Sequence, residues 1–153
     1  MKIGVISDTH NYLDPQVAAF FRGVEHILHG GDIGQRDLLA ELETIAPVTA
    51  VAGNTDHDPG YRETATVTLS GLKILVHHIV TPGAMREPID RQIAVEAPNV
   101  VVFGHTHKPY AQQWDKTFFF NPGYAGKQRF DLPRTLALLD WTDGRLRHQF
   151  ISL

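Results

Sequence analysis

The sequence contains no cysteine. That excludes a disulfide framework and every thiolate metal site, and it fits a reducing compartment. No apolar run approaches the ~18 residues that a membrane span requires, so no membrane partner is expected. No charged leader with an apolar centre precedes the first apolar run, so structure is expected to begin at Lys2, with no secretory segment. Positive charge is also scarce: Lys and Arg total 14 against 17 Asp and Glu, a formal net charge of −3. A global basic field able to hold a nucleic-acid backbone is thereby excluded, and stable nucleic-acid binding is not expected. What remains is an ordinary globular composition, 42% hydrophobic and 20% charged over 153 residues. That length makes one domain, residues 1–153, and the default expectation is a cytoplasmic enzyme, with a homo-oligomer left open.

The first third alternates strands and helices. Lys2 to Ser7 is a short, nearly continuous apolar run, as expected of a strand covered on both faces. Asp14-Pro15 then predicts a helix start, with Val17, Ala18, Phe20 and Phe21 as its apolar stripe. His26 to His29 is a second strand, and Leu38, Leu39, Leu42 and Ile45 fall at helical spacing before Pro47. Val48 to Ala52 is a third strand. Strand, helix, strand, helix, strand is the signature of a right-handed α/β half. The remainder reads differently. Thr64 to Leu69 and Leu72 to Val76 form a predicted hairpin about Ser70-Gly71. Pro88 to Ala97 is a helix with Ile89 and Ile93 on one side, and Asn99 to Phe103 is a strand. Strands follow over Tyr110 to Trp114, Thr117 to Phe120, Thr135 to Trp141 and Leu146 to Ile151, with an aperiodic ordered loop from Asn121 to Pro133.

Against that frame stand five short polar motifs, each at the end of an apolar run. They are Asp8-Thr9-His10, Gly31-Asp32, Gly53-Asn54, His77 and Gly104-His105-Thr106-His107. In open α/β sheets the carboxyl ends of the strands are where ligands bind, so residues there can meet in space. Any one alone is more often a cap or turn residue. Together they are different, because two carboxylates converging on one crevice are costly unless a cation neutralises them. Seven oxygen and imidazole donors exceed the four ligands or so at which one zinc closes, and suit two neighbouring divalent ions completed by water. On an extended segment His105 and His107, two apart, face the same way and serve one ion each or flank a pair.

Asp-x-His, Gly-Asp, Gly-Asn, His and Gly-His-x-His, in this order, resemble the calcineurin-like metallophosphoesterase superfamily, and the small size looks like its compact prokaryotic phosphodiesterase branch. The resemblance runs from Asp8 to Asn121-Pro122-Gly123. It implies a four-layer α/β/β/α sandwich of two mixed sheets. It also implies that Asp8, His10 and His107 hold one ion, that Asn54, His77 and His105 hold the other, and that Asp32 bridges both. The ion expected first is Mn2+, with Ni2+, Mg2+, Zn2+ or Fe as alternatives. Many members follow Gly-Asn with a His that protonates the leaving group, whereas here Thr55-Asp56 follows. Compact members often read His-Gly-His at the fourth motif, and here the chain reads His77-His78-Ile79. His57 and His78 are the candidate proton donors, and Asn11 the candidate contact for a substrate phosphate.

The expected reaction is hydrolysis of a small phosphoester, most readily a diester, by a hydroxide bridging two divalent ions. The rival from another class is a catalytically silent scaffold of the same fold that binds other proteins. It expects eroded ligands, whereas all seven positions here carry competent donors.

Overall fold

The computed structural model describes residues 1–84 and 86–153. Its elements run β1 (Lys2–Ile6), α1 (Val17–Phe20), β2 (His26–His29), α2 (Arg36–Glu43), β3 (Val48–Ala50), β4 (Thr64–Leu69), β5 (Leu72–His77) and α3 (Ile89–Glu96). Then come β6 (Val100–Val102), β7 (Tyr110–Trp114), β8 (Thr117–Asn121), β9 (Thr135–Thr142) and β10 (Arg145–Ser152). The first helix is shorter than its apolar stripe suggests. Asp14 still starts the turn, accepting from Gln16 N–H at 2.9 Å, but Gly23 at φ 80° ends it early.

Two five-stranded sheets form, in the orders β10-β9-β1-β2-β3 and β4-β5-β6-β8-β7. Both are mixed. β1, β2 and β3 are parallel while β9 is antiparallel to β1. β5, β6 and β8 are parallel, with β4 and β7 antiparallel at the edges. Strand alternation sorts the apolar side chains into three cores. Ile3, Val5 and Leu139 of the first sheet meet Ile74, Val76, Val102 and Phe120 of the second, so the two sheets pack face to face. On the far side of the first sheet, Ile6 and Ile27 pack under Val17, Phe21, Leu38 and Leu42 of the α1 and α2 region. On the far side of the second, Leu75, Val101 and Phe119 pack under Ile89 and Ile93 of α3. The layers are therefore α/β/β/α, as the resemblance implied.

The long-range pairing is what the local pattern did not display. The β9–β10 hairpin returns to the first sheet and completes it, placing β1 at its centre. No helix among the described residues is long and apolar enough to cross a membrane.

Candidate metal centre

The parallel strands β1, β2, β3, β5 and β6 end at one edge of the sandwich, and the five motifs are the segments they release there. The backbone at this edge is unusual. Asp8, His10, Asn11, Asp32, His105 and His107 all have φ between 46° and 68°. Left-handed backbone at a non-glycine residue costs of the order of 1 kcal/mol or more and persists only where surrounding structure imposes it. Here that structure is the pairing of the Asp8 turn with the Asp32 turn: Asp8 N–H donates to Gly31 O, His10 N–H to Asp32 O and Asn11 N–H to Ile33 O, each at 3.0 Å. The Asn54 turn is pinned onto the same spot by Asp56. Its carboxylate accepts from Ile33 N–H at 3.0 Å, Gly34 N–H at 2.9 Å and Gly53 N–H at 2.8 Å. Gly53 must be glycine for that approach, because a Cβ there would run into the Asp32 backbone nitrogen and carboxylate.

Two groups of convergent donors result, with ligand atoms within 4.8 Å of one another in each: Asp8, His10 and His107, and Asp8, Asp32 and His78. Asp8 belongs to both. Asp32 Oδ2 lies 3.3 Å from His78 Nε2 and 3.7 Å from His10 Nε2, between the groups. Asn54 joins the second group, its Oδ1 lying 3.1 Å from His78 Nε2 and 2.9 Å from His105 Nδ1. His107 Nε2 is 3.2 Å from Asp8 Oδ1. His105 and His107 therefore face opposite groups. The segment is not extended as expected, since both residues are left-handed, with φ 68° and 59°.

The fourth motif also differs from expectation. His77, the last residue of β5, turns toward β4, where its Nδ1 is 2.8 Å from Thr64 Oγ1, and it joins neither convergent group. His78 takes that place. Leu72, Ile74 and Val76 face the inter-sheet core, and the same alternation carries His78 inward. Its Nδ1 lies 2.8 Å from the Gly30 carbonyl, which orients the ring and turns Nε2 toward Asp32 and Asn54. His57 is exposed beyond Asp56, and no hydrogen bond among the described residues ties it to the cluster. Asn11 spends its Oδ1 on Gln35 N–H at 2.6 Å, at the start of α2, so that atom holds the loop.

The electrostatics agree with a cation site. Asp8 and Asp32 are both buried, and the His10 Nε2 is buried with no hydrogen-bond partner among the described residues. An orphaned imidazole nitrogen facing two carboxylates fits a divalent ion. Burial pushes the His10 imidazole below its ordinary pKa despite the nearby charges of Asp32 and Asp8. For Asp32, burial pushes upward, but hydrogen bonds from His78 and from Thr55 N–H outweigh it and hold the carboxyl well below the usual range. For His78, burial pulls downward, and the hydrogen bond to Asp32 and the charge of Asp8 outweigh it and raise the imidazole.

Behind the site lies a histidine that the strand-end pattern did not single out. His29 is fully buried; its Nδ1 accepts from Gly31 N–H at 3.2 Å. That network assigns the proton to Nε2, which donates to Thr9 Oγ1 at 2.9 Å, and the Thr9 hydroxyl donates to Ile33 O at 3.0 Å. A second proton has no acceptor, and burial lowers the pKa from 6.5 to about 4. Above about pH 6.5 both folded and unfolded chains are neutral here, and the contribution to stability is complete. Below that, only the unfolded chain takes the proton, so stability falls by up to about 3 kcal/mol as pH drops to about 4. Urea unfolding in EDTA at pH 7 and pH 4.5 should show this loss, and His29→Gln should show a smaller one. An equal loss in both proteins would contradict it.

The α/β/β/α sandwich, with convergent oxygen and imidazole donors at one sheet edge, has the architecture of the metallophosphoesterases. The chain belongs to the calcineurin-like phosphoesterase superfamily, whose domain pattern matches residues 1–144. A probable metallophosphoesterase of Methanothermobacter thermautotrophicus is 35% identical over 147 residues, covering 90% of this chain and 85% of its own length. An archaeal phosphodiesterase of known structure superposes with a TM-score of 0.79 at 25% identity, over 99% of this chain and 100% of the other. Vps29 of Entamoeba histolytica, in complex with Zn2+, shares the fold, with a TM-score of 0.74 at 23% identity and 99% coverage of each chain.

Proposed function

We propose that this protein is a phosphodiesterase that works with two divalent ions. The observation that carries the reading is the pair of donor groups sharing Asp8 and joined through Asp32, with an unpartnered His10 nitrogen aimed between the carboxylates. Asp8, His10 and His107 would hold one ion. Asn54, His78 and His105 would hold the other, with Asp32 between them. His78 replaces His77 in this assignment. Oxygen and imidazole donors without thiolate suit Mn2+ first, and Ni2+, Mg2+, Zn2+ or Fe next.

Ions held there would activate water as the nucleophile and neutralise the phosphate oxygens as charge develops. The chain's own contribution is placement. The Thr55 N–H, 2.9 Å from Asp32 Oδ1, fixes one carboxylate oxygen and leaves the other facing both groups. Asp8 is held by the Ser7 hydroxyl, which donates to its Oδ2 at 2.6 Å, and by His105 N–H, shared between Oδ2 at 3.2 Å and Oδ1 at 3.3 Å. With both His78 nitrogens engaged and His57 exposed, neither of the two candidate histidines stands ready to protonate a leaving group. Diesters with good leaving groups are then the favoured substrates, with water as the proton donor.

Metal-stripped protein reconstituted with Mn2+ should bind two ions per chain by calorimetry and hydrolyse bis(4-nitrophenyl) phosphate, with EDTA abolishing turnover. Saturation at one ion would refute the two-ion part. No hydrolysis with Mn2+, Ni2+, Mg2+ or Zn2+ would leave the scaffold reading standing.

A further inference from the structure

The loop from Gly126 to Arg134, between β8 and β9, rises beside the His10–His107 side of the site and is tied down along its length. Tyr124 Oη donates to Lys127 O at 2.8 Å, Arg134 Nε to Gly126 O at 2.6 Å, and Leu132 N–H to Arg129 O at 3.0 Å. The Gln128 amide braces it from within, donating to Phe130 O at 2.9 Å and Leu132 O at 3.1 Å. Three cations stand on this loop, and they are not equivalent. Arg134 is committed to Asp14, at 2.7 Å and half-buried. Lys127 and Arg129 are exposed and, among the described residues, carry no salt bridge. In a chain with net charge −3, two unpaired cations fixed at one lip need a reason.

Their position supplies it. The Arg129 guanidinium lies 5.8 Å over the ring of Tyr124, and that ring lies 4.7 Å from His107 and 6.2 Å from His10. Arg129 thus stands one aromatic ring away from two of the candidate ligands. Lys127 Nζ lies 5.8 Å over Tyr12, which follows the Asp8–His10 turn. The rings hold the cations beside the site by cation–π contact while their N–H groups stay open to solvent. A guanidinium so placed offers a planar pair of donors to an oxyanion.

We infer that Arg129, with Lys127, forms a second anion subsite that selects phosphodiesters carrying a further phosphate next to the scissile one. Resting on the phosphodiesterase reading, this assigns the substrate class of the same site. The Phe130 ring is fully exposed on the same lip, which makes a dinucleotide a fitting probe because a base can lie against it.

The test compares thymidylyl-(3′→5′)-thymidine with its 5′-phosphorylated form, in Mn2+, on wild type, Arg129→Ala and Arg129→Lys. The wild type should show a KM about tenfold lower for the phosphorylated dinucleotide, the order expected of one exposed charge-assisted contact. Arg129→Ala should bring that ratio close to one, and Arg129→Lys should restore part of it. A wild-type ratio of one, or an Arg129→Ala variant that keeps the ratio, overturns the subsite. Calorimetry on the same pair of ligands reads the preference without turnover. A binding preference lost in Arg129→Ala, with no hydrolysis of either dinucleotide or of bis(4-nitrophenyl) phosphate by any of the proteins, would keep the subsite and refute the phosphodiesterase reading instead.

Discussion

His78→Ala is expected to lower turnover of bis(4-nitrophenyl) phosphate by more than about 100-fold, beyond the 10- to 100-fold typical of losing an outer partner of a ligand. His77→Ala is expected to stay within about tenfold of wild type, as befits a residue whose imidazole meets Thr64 rather than the carboxylates. The contrast is sharp because the two residues are adjacent and both are histidine. His78 is buried, with one nitrogen on the Gly30 carbonyl and the other facing Asp32 and Asn54. Its removal takes away a donor and leaves Asp32 without the imidazole that holds it ionised. Loss of one ion from the Mn2+ stoichiometry should accompany the loss of rate in His78→Ala alone. If His77→Ala is the variant that loses the ion, the assignment drawn from strand alternation is wrong. If His78→Ala keeps both ions but is slow only with poor leaving groups, His78 is a proton donor after all.

The second large effect concerns Asp32 and is read in the heat stability of the protein. Each ion held at about one hundred times its Kd stabilises the folded chain by about 2.7 kcal/mol, so two contribute about 5 kcal/mol. At roughly 2–4 °C per kcal/mol for a chain of this size, saturating Mn2+ should raise the Tm by about 10–20 °C. Asp32→Ala, which removes the carboxylate between the groups, should keep no more than half of that shift and almost none of the hydrolysis. Asp32→Asn, which retains an acceptor for Thr55 N–H, separates the loss of charge from any collapse of the turn. An unchanged Mn2+ shift in Asp32→Asn and Asp32→Ala would mean that this carboxylate holds no ion.

Much of the site is legible in the chain because its residues sit where strands end. Asp8, Asp32 and Asn54 each follow an apolar run and a turn, and parallel strands in adjacent positions bring such ends together whatever the details. His107 and His10 follow by the same logic. That His78 rather than His77 joins the convergent donors also has a signal in the chain. Leu72, Ile74 and Val76 mark one face, and counting on by two reaches His78. The count was obscured because Leu75 is equally apolar, being buried under α3 on the other face. The opposed directions of His105 and His107 had no such signal. They depend on two left-handed residues that nothing in a His-Thr-His triplet announces. The cationic lip was visible only as an aperiodic loop, because the rings that hold Lys127 and Arg129 come from Tyr12 and Tyr124. Nor did local pattern reveal that β9 pairs with β1, a partnership between the two ends of the described chain.

That partnership sets a timetable for a chain being made from its amino end. β1 can pair with β2 as soon as residue 29 is available, but its other edge has no partner until β9 is made. At ~5–20 residues per second, the delay is on the order of 10 s. Through that interval the apolar Lys2–Ile6 strand offers an open row of backbone donors and acceptors to any neighbouring chain. The Asp8 turn waits as well, because Ser7 O accepts from Ala125 N–H and Asp8 from His105 N–H. Nascent chains are thus open to mispairing at the very strand that leads into Asp8, and the edge that gathers these donors takes shape only once β9 has been made.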